Sequence, residues 1–344
     1  MQVQHGETLS VIIVNWNRKD LLRACLLSLQ NQQGVQFEII VVDNGSSDGS
    51  AEMIAQEFRS VKLIENTVNL GFCAANNQGI AAASGEFIAL LNNDAEACPN
   101  WLYELRRVFD GRPGAGMAAS KVLVWEDPRR IDKAGHLIYL DGQNRGRGSG
   151  ELDAGQYDTM EEILWPDGCA AMYRRGMLEE IGGFDEDFFA YADDAELGLR
   201  ARIAGWRCIY APAAVVRHHR GATLGVRSLR RVELIERNRI LLAAKLFPWS
   251  LLWLNGVFYL ARLAAGAWAA LKGRGEISRF PGWKSKFRVA LAMLKGDLEA
   301  VSMLPKILRK RREVARIRKL TGAELRRLLW NNRISLKTLS QESV

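Results

Sequence analysis

The 344-residue sequence predicts an α/β protein: a mostly parallel, Rossmann-like sheet in the first part of the chain, a mixed α+β half after it, and a helical C-terminal region. Three observations carry this. Apolar, β-branched runs recur near the N-terminus, and each stops abruptly at Asn or Asp. Stretches with helical spacing separate them. Beyond about residue 226 the pattern is helical and apolar, then strongly basic.

The first run, Leu9 to Val14, ends in Asn15-Trp16-Asn17 before the helical pattern Leu21, Leu22, Cys25, Leu26, Leu29. Phe37 to Val42 repeats it and hands over Asp43-Asn44-Gly45-Ser46-Ser47-Asp48-Gly49, a turn-rich loop leading into a helix from Ala51 to Phe58. Asp43 stands where a doubly wound fold meets a base or ribose. A third strand, Val61 to Ile64, precedes Asn69-Leu70-Gly71-Phe72 and a helix of small residues from Cys73 to Ala83, suited to close backbone packing. The fourth, Phe87 to Leu91, is unbroken and delivers Asn92-Asn93-Asp94 to its carboxyl end, where open α/β sheets bind phosphates and ions.

After Ala118 the rhythm changes. Val122 to Trp125 and Ile131 to Leu140 are followed by a Gly- and Arg-rich loop, 141–150, expected to be mobile. Trp165-Pro166-Asp167-Gly168 turns into a short strand and a helix from Arg175 to Ile181 that stops at Gly182-Gly183. Acid then concentrates between Asp185 and Glu196 beside Phe184, Phe188, Phe189 and Tyr191. Asp193 and Glu196 have capping-box spacing, which would start a helix from Ala195 to Ala204 without any chemistry. That leaves Asp194 unexplained; a carboxylate at a helix start beside aromatics can gain the proton affinity of a general base. A last strand, Trp206 to Tyr210, precedes His218-His219, potential metal ligands.

Composition narrows the class. Five widely spaced cysteines without a CxxC pair argue against a disulfide framework and a thiolate metal site, so a reducing compartment is expected. The polar N-terminus carries no signal-peptide pattern. The net charge of +8 is uneven, with +13 from Lys272 onward and −5 before it. A basic tail behind an apolar stretch, with no nucleic-acid module, suits an anionic membrane surface. Trp249 to Leu271 is long enough to span a bilayer, but Asn255 and Arg262 within it favour an embedded hairpin or interfacial helix. The absence of GxGxxG after the first strand, and of any GxxxxGK[ST], excludes a nicotinamide-dependent dehydrogenase and a P-loop NTPase.

Six stretches in order carry a resemblance: Ser10 to Asn17, Val41 to Ser50, Asn69 to Ile80, Leu90 to Asp94, Gly182 to Phe189, and Asp193 to Arg200. Together they resemble glycosyltransferase family 2, with the GT-A fold, in its bacterial rhamnosyltransferase-like branch. The resemblance implies a catalytic domain at 1–225, with a donor half to about 117 and an acceptor half after it, and a helical region with a basic tail at 226–344. It implies an inverting, metal-assisted glycosyltransferase acting at the cytoplasmic face of the membrane. The donor would be a UDP- or dTDP-sugar, and the acceptor lipid-linked or a polysaccharide.

Carried over by position, Asp43 looks like the carboxylate that reads the nucleobase, with Asn15, Asn17, Asn44, Asn77 and Asn93 on the donor side. Asp94 is similar to the last acid of the DxD motif and, with His218 in a pattern resembling HxxGxS, would hold Mn2+ or Mg2+. Asp194, flanked by Asp193, corresponds to the base; Trp165, Gly168 and Glu196 fall on the acceptor side. Asn92 replaces the first DxD acid, and Asp193-Asp194-Ala195-Glu196 swaps chain lengths around the base. Two alternatives stand beside this. A nucleotidyltransferase needs a basic Gly-rich loop for a triphosphate, where Asn15-Trp16-Asn17-Arg18 offers only Arg18. A catalytically decayed domain acting as a membrane-bound assembly factor would follow from Asn92.

Overall fold

The computed structural model describes residues 9–219, 225, 228–273 and 275–341. Four parallel strands open it: β1 (Leu9–Asn15), β2 (Phe37–Asp43), β3 (Lys62–Glu65) and β4 (Phe87–Leu91). Helices α1 (Lys19–Gln30), α2 (Ser50–Glu57) and α3 (Phe72–Ala82) connect them. β1 pairs in parallel with both β2 and β4, in register Asn15↔Asp43 and Ile12↔Leu90. The carboxyl ends of β1, β2 and β4 therefore meet at one edge, as the sequence pattern implies.

Both faces of this sheet are covered, and the strands alternate between them. Val11 and Ile13 of β1 pack with Leu22, Leu26, Met53 and Trp101 on one side; Ile12, with Leu90 of β4, packs on the other. α3 lies so close that a Cβ on Gly79 would sit 2.5 Å from Ile12 Cγ2, which is why that helix is built of small residues.

Beyond β4 come β5 (Ala95–Ala97), α4 (Trp101–Arg107) and the ten-residue β6 (Ala115–Val124). Four short strands follow: β7 (Ile131–Lys133), β8 (His136–Ile138), β9 (Asn144–Gly146) and β10 (Glu161–Ile163). β11 (Ala170–Arg174), α5 (Arg175–Ile181), α6 (Asp193–Ile203) and β12 (Arg207–His218) complete the sheet. Its order is β10-β12-β6-β11-β4-β1-β2-β3, with β5 on β12 and β7 on β6. β11 runs antiparallel between β4 and β6, so a parallel half is joined to a mixed half.

Several expectations need correction. β12 continues eight residues past Tyr210, because Val215 to His218 pair with Lys121 to Val124 beyond a register shift. No capping box forms at Asp193 and Glu196: the N-cap is Ala192, and Asp193 is already the first helical residue. The 141–150 loop is tied down: Asp141 is fully buried, and Arg147 donates to the Ala134 carbonyl and pairs with Glu161.

The C-terminal helices are α7 (Leu229–Leu246), α8 (Trp249–Leu252), α9 (Asn255–Leu271), α10 (Gly282–Ile317), α11 (Gly322–Asn331) and α12 (Leu336–Gln341). The apolar run from Trp249 to Leu271 is thus broken into two helices. Among the described residues no helix is long and apolar enough to cross a membrane. Arg262 of α9 turns inward, with Nε 2.6 Å from Asp141 Oδ2 and its NH2 2.6 Å from Glu236 Oε2. α7 and α10 cross closely, since a Cβ on Gly296 would lie 2.4 Å from the Glu233 carbonyl. Leu241, Leu246, Ala300, Ile307 and Leu325 extend the core that holds Trp165 and Leu197.

Candidate active site at the sheet edge

Where β1, β2 and β4 end, three buried polar side chains form one connected set. Asn15 donates from Nδ2 to Asp43 Oδ1 at 3.0 Å, and its Oδ1 accepts from Asn93 Nδ2 at 2.7 Å. Asp43 also accepts from the Ser46 backbone N–H at 2.9 Å. Asn17, in the left-handed region with φ 53°, accepts the Ser47 N–H at 2.8 Å and so folds the 15–19 loop over the 44–48 loop. This lip is the sheet's C-terminal edge, where a nucleotide meets strand ends in open α/β sheets.

Asn44 and Asn77 are placed nearby but spend their amides internally. Asn44 bonds Asn69, Gly71, Asn66 and the Leu70 N–H, stapling the β2 loop to the 66–71 loop. Asn77 donates to the Phe184 carbonyl and accepts its N–H at 2.8 Å, so it fastens α3 to the loop before α6.

A short turn after β4 carries Asp94 to the antiparallel pairing of β5 with the end of β12, where Ala95 faces His218. The two predicted metal ligands are therefore adjacent, with Asp94 Oδ1 3.3 Å from His218 Nε2. Asp94 is buried, and among the described residues its Oδ1 makes no hydrogen bond. His218 is oriented by Asp132, whose Oδ2 lies 2.8 Å from Nδ1, the carboxylate–imidazole arrangement that supports metal-binding histidines. An orphaned carboxylate oxygen beside an imidazole Nε2 fits a divalent cation at this point. Arg220, Gly221 and Thr223, the remainder of the HxxGxS-like pattern, lie outside the described residues.

A second polar group gathers at the N-terminus of α6. Asp194 accepts the Gly168 N–H at 3.3 Å and lies 3.4 Å from His136 Nε2; that same nitrogen is 2.7 Å from Asp167 Oδ2. Lys133 Nζ is 2.7 Å from the same Asp167 oxygen. Ligand-type atoms of His136, Asp167 and Asp194 all fall within 4.8 Å of one another, an arrangement able to hold an ion, but Lys133 already supplies a cation to it. Trp165 is fully buried, stacks on His136 with ring centroids 6.1 Å apart, and leans on Gly198, where a Cβ would sit 2.2 Å from its own Cβ.

The charges in this group divide by environment. Burial opposes the Asp167 carboxylate, yet Lys133 and His136 overcome that and hold it well below the usual range. Asp193 has no such cation beside it: burial and the Asp194 charge push it up to about 8. Asp194 is also raised, by burial first and Asp167 next, against the pull of His136 and Lys133. A carboxylate with raised proton affinity and a slightly exposed side chain suits proton abstraction.

Glu196, assigned by position to the acceptor side, is fully buried and has its oxygens on Arg200 at 2.9 and 2.8 Å and on Lys245 at 2.7 Å. It joins α6 to α7 and leaves no free oxygen toward an acceptor. Sequence reasoning missed Asp132, Lys133, His136 and Asp167. Asp167 carried a signal, as an acid beside the glycine of a strand-entry turn. Asp132-Lys133-Ala134-Gly135-His136 carried only a weak one, because its spacing matches no motif with a mechanism.

The family model described as "Glycosyl transferase family 2" matches residues 10–182, half of the chain. The chain is a family 2 glycosyltransferase. This transferase is similar to an N-acetylglucosaminyl-diphospho-decaprenol L-rhamnosyltransferase of Mycobacterium tuberculosis, 26% identical over 240 residues, which cover 64% of this chain and 78% of that protein. It is 30% identical over 224 residues to the O-antigen biosynthesis protein RfbC of Myxococcus xanthus, covering 62% of this chain and 17% of that one. An uncharacterized protein y4gI of Sinorhizobium fredii is 30% identical over 63% of this chain, which spans only 25% of it. These relatives place the transferase in the rhamnosyltransferase-like branch. Among solved structures, GalNAc-T7, crystallised with UDP, GalNAc and Mn2+, superposes with a TM-score of 0.52 at 15% identity, over 69% of this chain and 50% of that one. It shares the GT-A fold.

Proposed function

We propose that the transferase moves a sugar, rhamnose foremost, from a dTDP- or UDP-sugar to a lipid-linked or cell-surface polysaccharide acceptor, with inversion at the anomeric carbon. The observation that carries this is the juxtaposition of two chemically different carboxylate sites: Asp94 with His218 at the end of β4, and Asp194 at the start of α6. The GT-A neighbour's Mn2+ and UDP, and the rhamnosyltransferase name of a relative, support the donor class.

In this reading Asp43, held by Asn15 and Asn93, binds the nucleoside, and Asn17 shapes the lip over it. Asp94 and His218 would hold Mn2+ or Mg2+, which when bound supplies positive charge to the diphosphate leaving group. Asp194 takes the proton of the acceptor hydroxyl, oriented by the Gly168 N–H and by His136. Trp165 and Gly168 shape the acceptor side. Asp193 stays protonated near neutrality and leaves Asp194 to act alone. One base and direct displacement give inversion; retained configuration in the product, read by NMR of the anomeric proton, refutes it.

The C-terminal region is the attachment surface. The turn between α8 and α9 exposes Trp253 at 85%, and α9 and α10 expose Leu260, Trp268, Trp283, Phe287 and Leu298 at 66%, 61%, 74%, 57% and 63%. Lys272, Lys284, Lys286 and Arg288 are interspersed with them, the pairing of apolar and basic groups that binds an anionic bilayer from its cytoplasmic side. A lipid-linked acceptor follows from residence there.

The test is a thermal-shift series with UDP, dTDP and their sugars, with and without Mn2+ or Mg2+, on wild type and Asp94→Ala. Metal-dependent stabilisation that is lost in the variant is expected. No stabilisation by any nucleotide would leave the decayed-domain reading in its place.

A further inference from the structure

The turn that leads into α6 is bent at residues ill suited to it. Phe189, Tyr191 and Ala192 have φ of 63°, 68° and 56°, the left-handed region where a Cβ is unfavourable. Such backbone persists only when its surroundings hold it. Here the holding comes from outside the family 2 match, from α7.

Asn238 of α7 is fully buried. Its Nδ2 lies 2.9 Å from the Phe188 carbonyl, 2.8 Å from that of Ala190 and 2.7 Å from that of Tyr191, its two hydrogens shared among the three. Its Oδ1 accepts from Arg237 Nε at 2.9 Å, and Arg237 reaches the carbonyls of Asp187 and Phe188 at 3.1 and 2.9 Å. One amide thus ties together three carbonyls of a tight, non-glycine turn, of which that of Phe188 also accepts from Arg237 and from the Ala190 N–H. The turn ends at Ala192, the N-cap of α6, so the backbone that Asn238 grips runs directly into Asp193 and Asp194. On its other flank Phe189 lies over Gly71, where a Cβ would be 2.4 Å from the ring, and the Phe189 carbonyl accepts the Cys73 N–H at 3.2 Å.

We propose that Asn238 is a positioning residue of the transfer reaction: it fixes the 188–192 turn and, through it, the carboxylate of Asp194. The C-terminal helices then complete the active site as well as attaching it to a surface. This rests on the reading of Asp194 as the base.

The experiment compares Asn238→Ala, Asp194→Asn and the double variant Asn238→Ala with Ala192→Gly, in the full chain. Misplacing a base by an ångström costs on the order of a hundredfold, so Asn238→Ala is expected to lose about that much kcat. Its donor KM and its stabilisation by nucleoside diphosphate stay as in wild type, and the acid limb of its kcat profile moves. Adding Ala192→Gly restores roughly tenfold, because glycine takes the left-handed conformation without strain. If Asn238→Ala fails to fold, Asn238→Ser, which keeps one donor, carries the same comparison with a loss of about tenfold. Wild-type kcat in a folded Asn238 variant, with Asp194→Asn inactive, overturns the positioning role alone. So does a uniform loss with an unmoved acid limb and no rescue. Transfer retained by Asp194→Asn overturns the base reading and the role of Asn238 with it.

Discussion

Replacing Asp193 by Asn should stabilise the protein, and should do so only above the ordinary carboxylate range. Asp193 is buried at the start of α6 beside Asp194, and its proton affinity is pushed up to about 8 from an ordinary 3.8. The folded chain therefore binds this proton more tightly than the unfolded chain. Stability from that proton is fully present below about pH 4 and is lost as pH rises toward 8. At about 1.4 kcal/mol per unit, the four-unit difference sets a ceiling of roughly 6 kcal/mol. Relaxation and water entry in a coupled pair bring the expected gain to about 2–3 kcal/mol at pH 8.5. Asn has nearly the same shape and no charge to bury. For a chain of this size the gain is a rise of about 5 °C in Tm. Thermal unfolding of wild type and Asp193→Asn at pH 5, 7 and 8.5 measures it. The difference should grow with pH and fade toward pH 5. A variant no more stable at pH 8.5 than wild type, or a difference flat across pH, would refute the assignment of buried charge to this pair.

Other consequences are as direct. If Asp194 is the base proposed above, the rate of sugar transfer should fall on the acid side with an apparent pKa above the usual carboxylate range; a pH–kcat profile shows it, and Asp193→Asn should leave that limb in place, because Asp193 is already neutral there, whereas Asp167→Asn should move it to lower pH. Gly198→Ala should cost about 2–3 kcal/mol in chemical denaturation by driving a methyl into Trp165, whereas Gly176→Ala, with nothing within 4 Å in helix α5, should gain about 0.5–1 kcal/mol. Arg262→Ala should lose about 3 kcal/mol by leaving Asp141 and Glu236 buried with Arg239 as their remaining cation, and Arg262→Lys should recover only part of it, because an ammonium lacks the planar fork with which Nε takes Asp141 and the two terminal nitrogens take both oxygens of Glu236. Trp253→Ser with Trp268→Ser should release the protein from anionic vesicles in a flotation assay while its Tm holds, since both rings are exposed.

The polar cluster at the sheet's C-terminal edge was legible because a parallel sheet converts sequence order into place. Asn15, Asp43 and Asp94 each follow an apolar strand, so pairing β1 with β2 and β4 brings them together whatever the loops do. Asp194 was legible as an acid at a helix start. The group around Asp194 was not, because its parts come from short or irregular segments: Lys133 and His136 from two three-residue strands, Asp167 from a tight turn. No periodicity marks such residues. Asn44, Asn77 and Glu196 show the converse. Their positions match functional motifs, yet their hydrogen bonds close loops and join helices, and only the partners reveal that. The apolar run from Trp249 to Leu271 was legible as helical, but the role of its one arginine was not. Hydropathy counts Arg262 as an interruption, whereas the fold uses it as the hub of a buried network and turns other residues of the helix outward.

The two carboxylate sites are organised by one short strand. In a regular strand Asp132 and Lys133 would point to opposite faces, and one segment could not serve both sites. β7 avoids this by a register shift: Ile131 faces Leu123 and Lys133 faces Val122, which makes Asp132 the extra residue of a bulge. Bulges of this kind re-aim side chains beside functional sites. Asp132 thereby reaches Nδ1 of His218 beside Asp94, while Lys133 reaches Asp167 beside Asp194, with His136 three residues on. The separation between the Asp94–His218 pair and Asp194 is then set by backbone geometry rather than by flexible loops. The single displacement proposed above would require this, because both groups would act on opposite sides of one carbon at once.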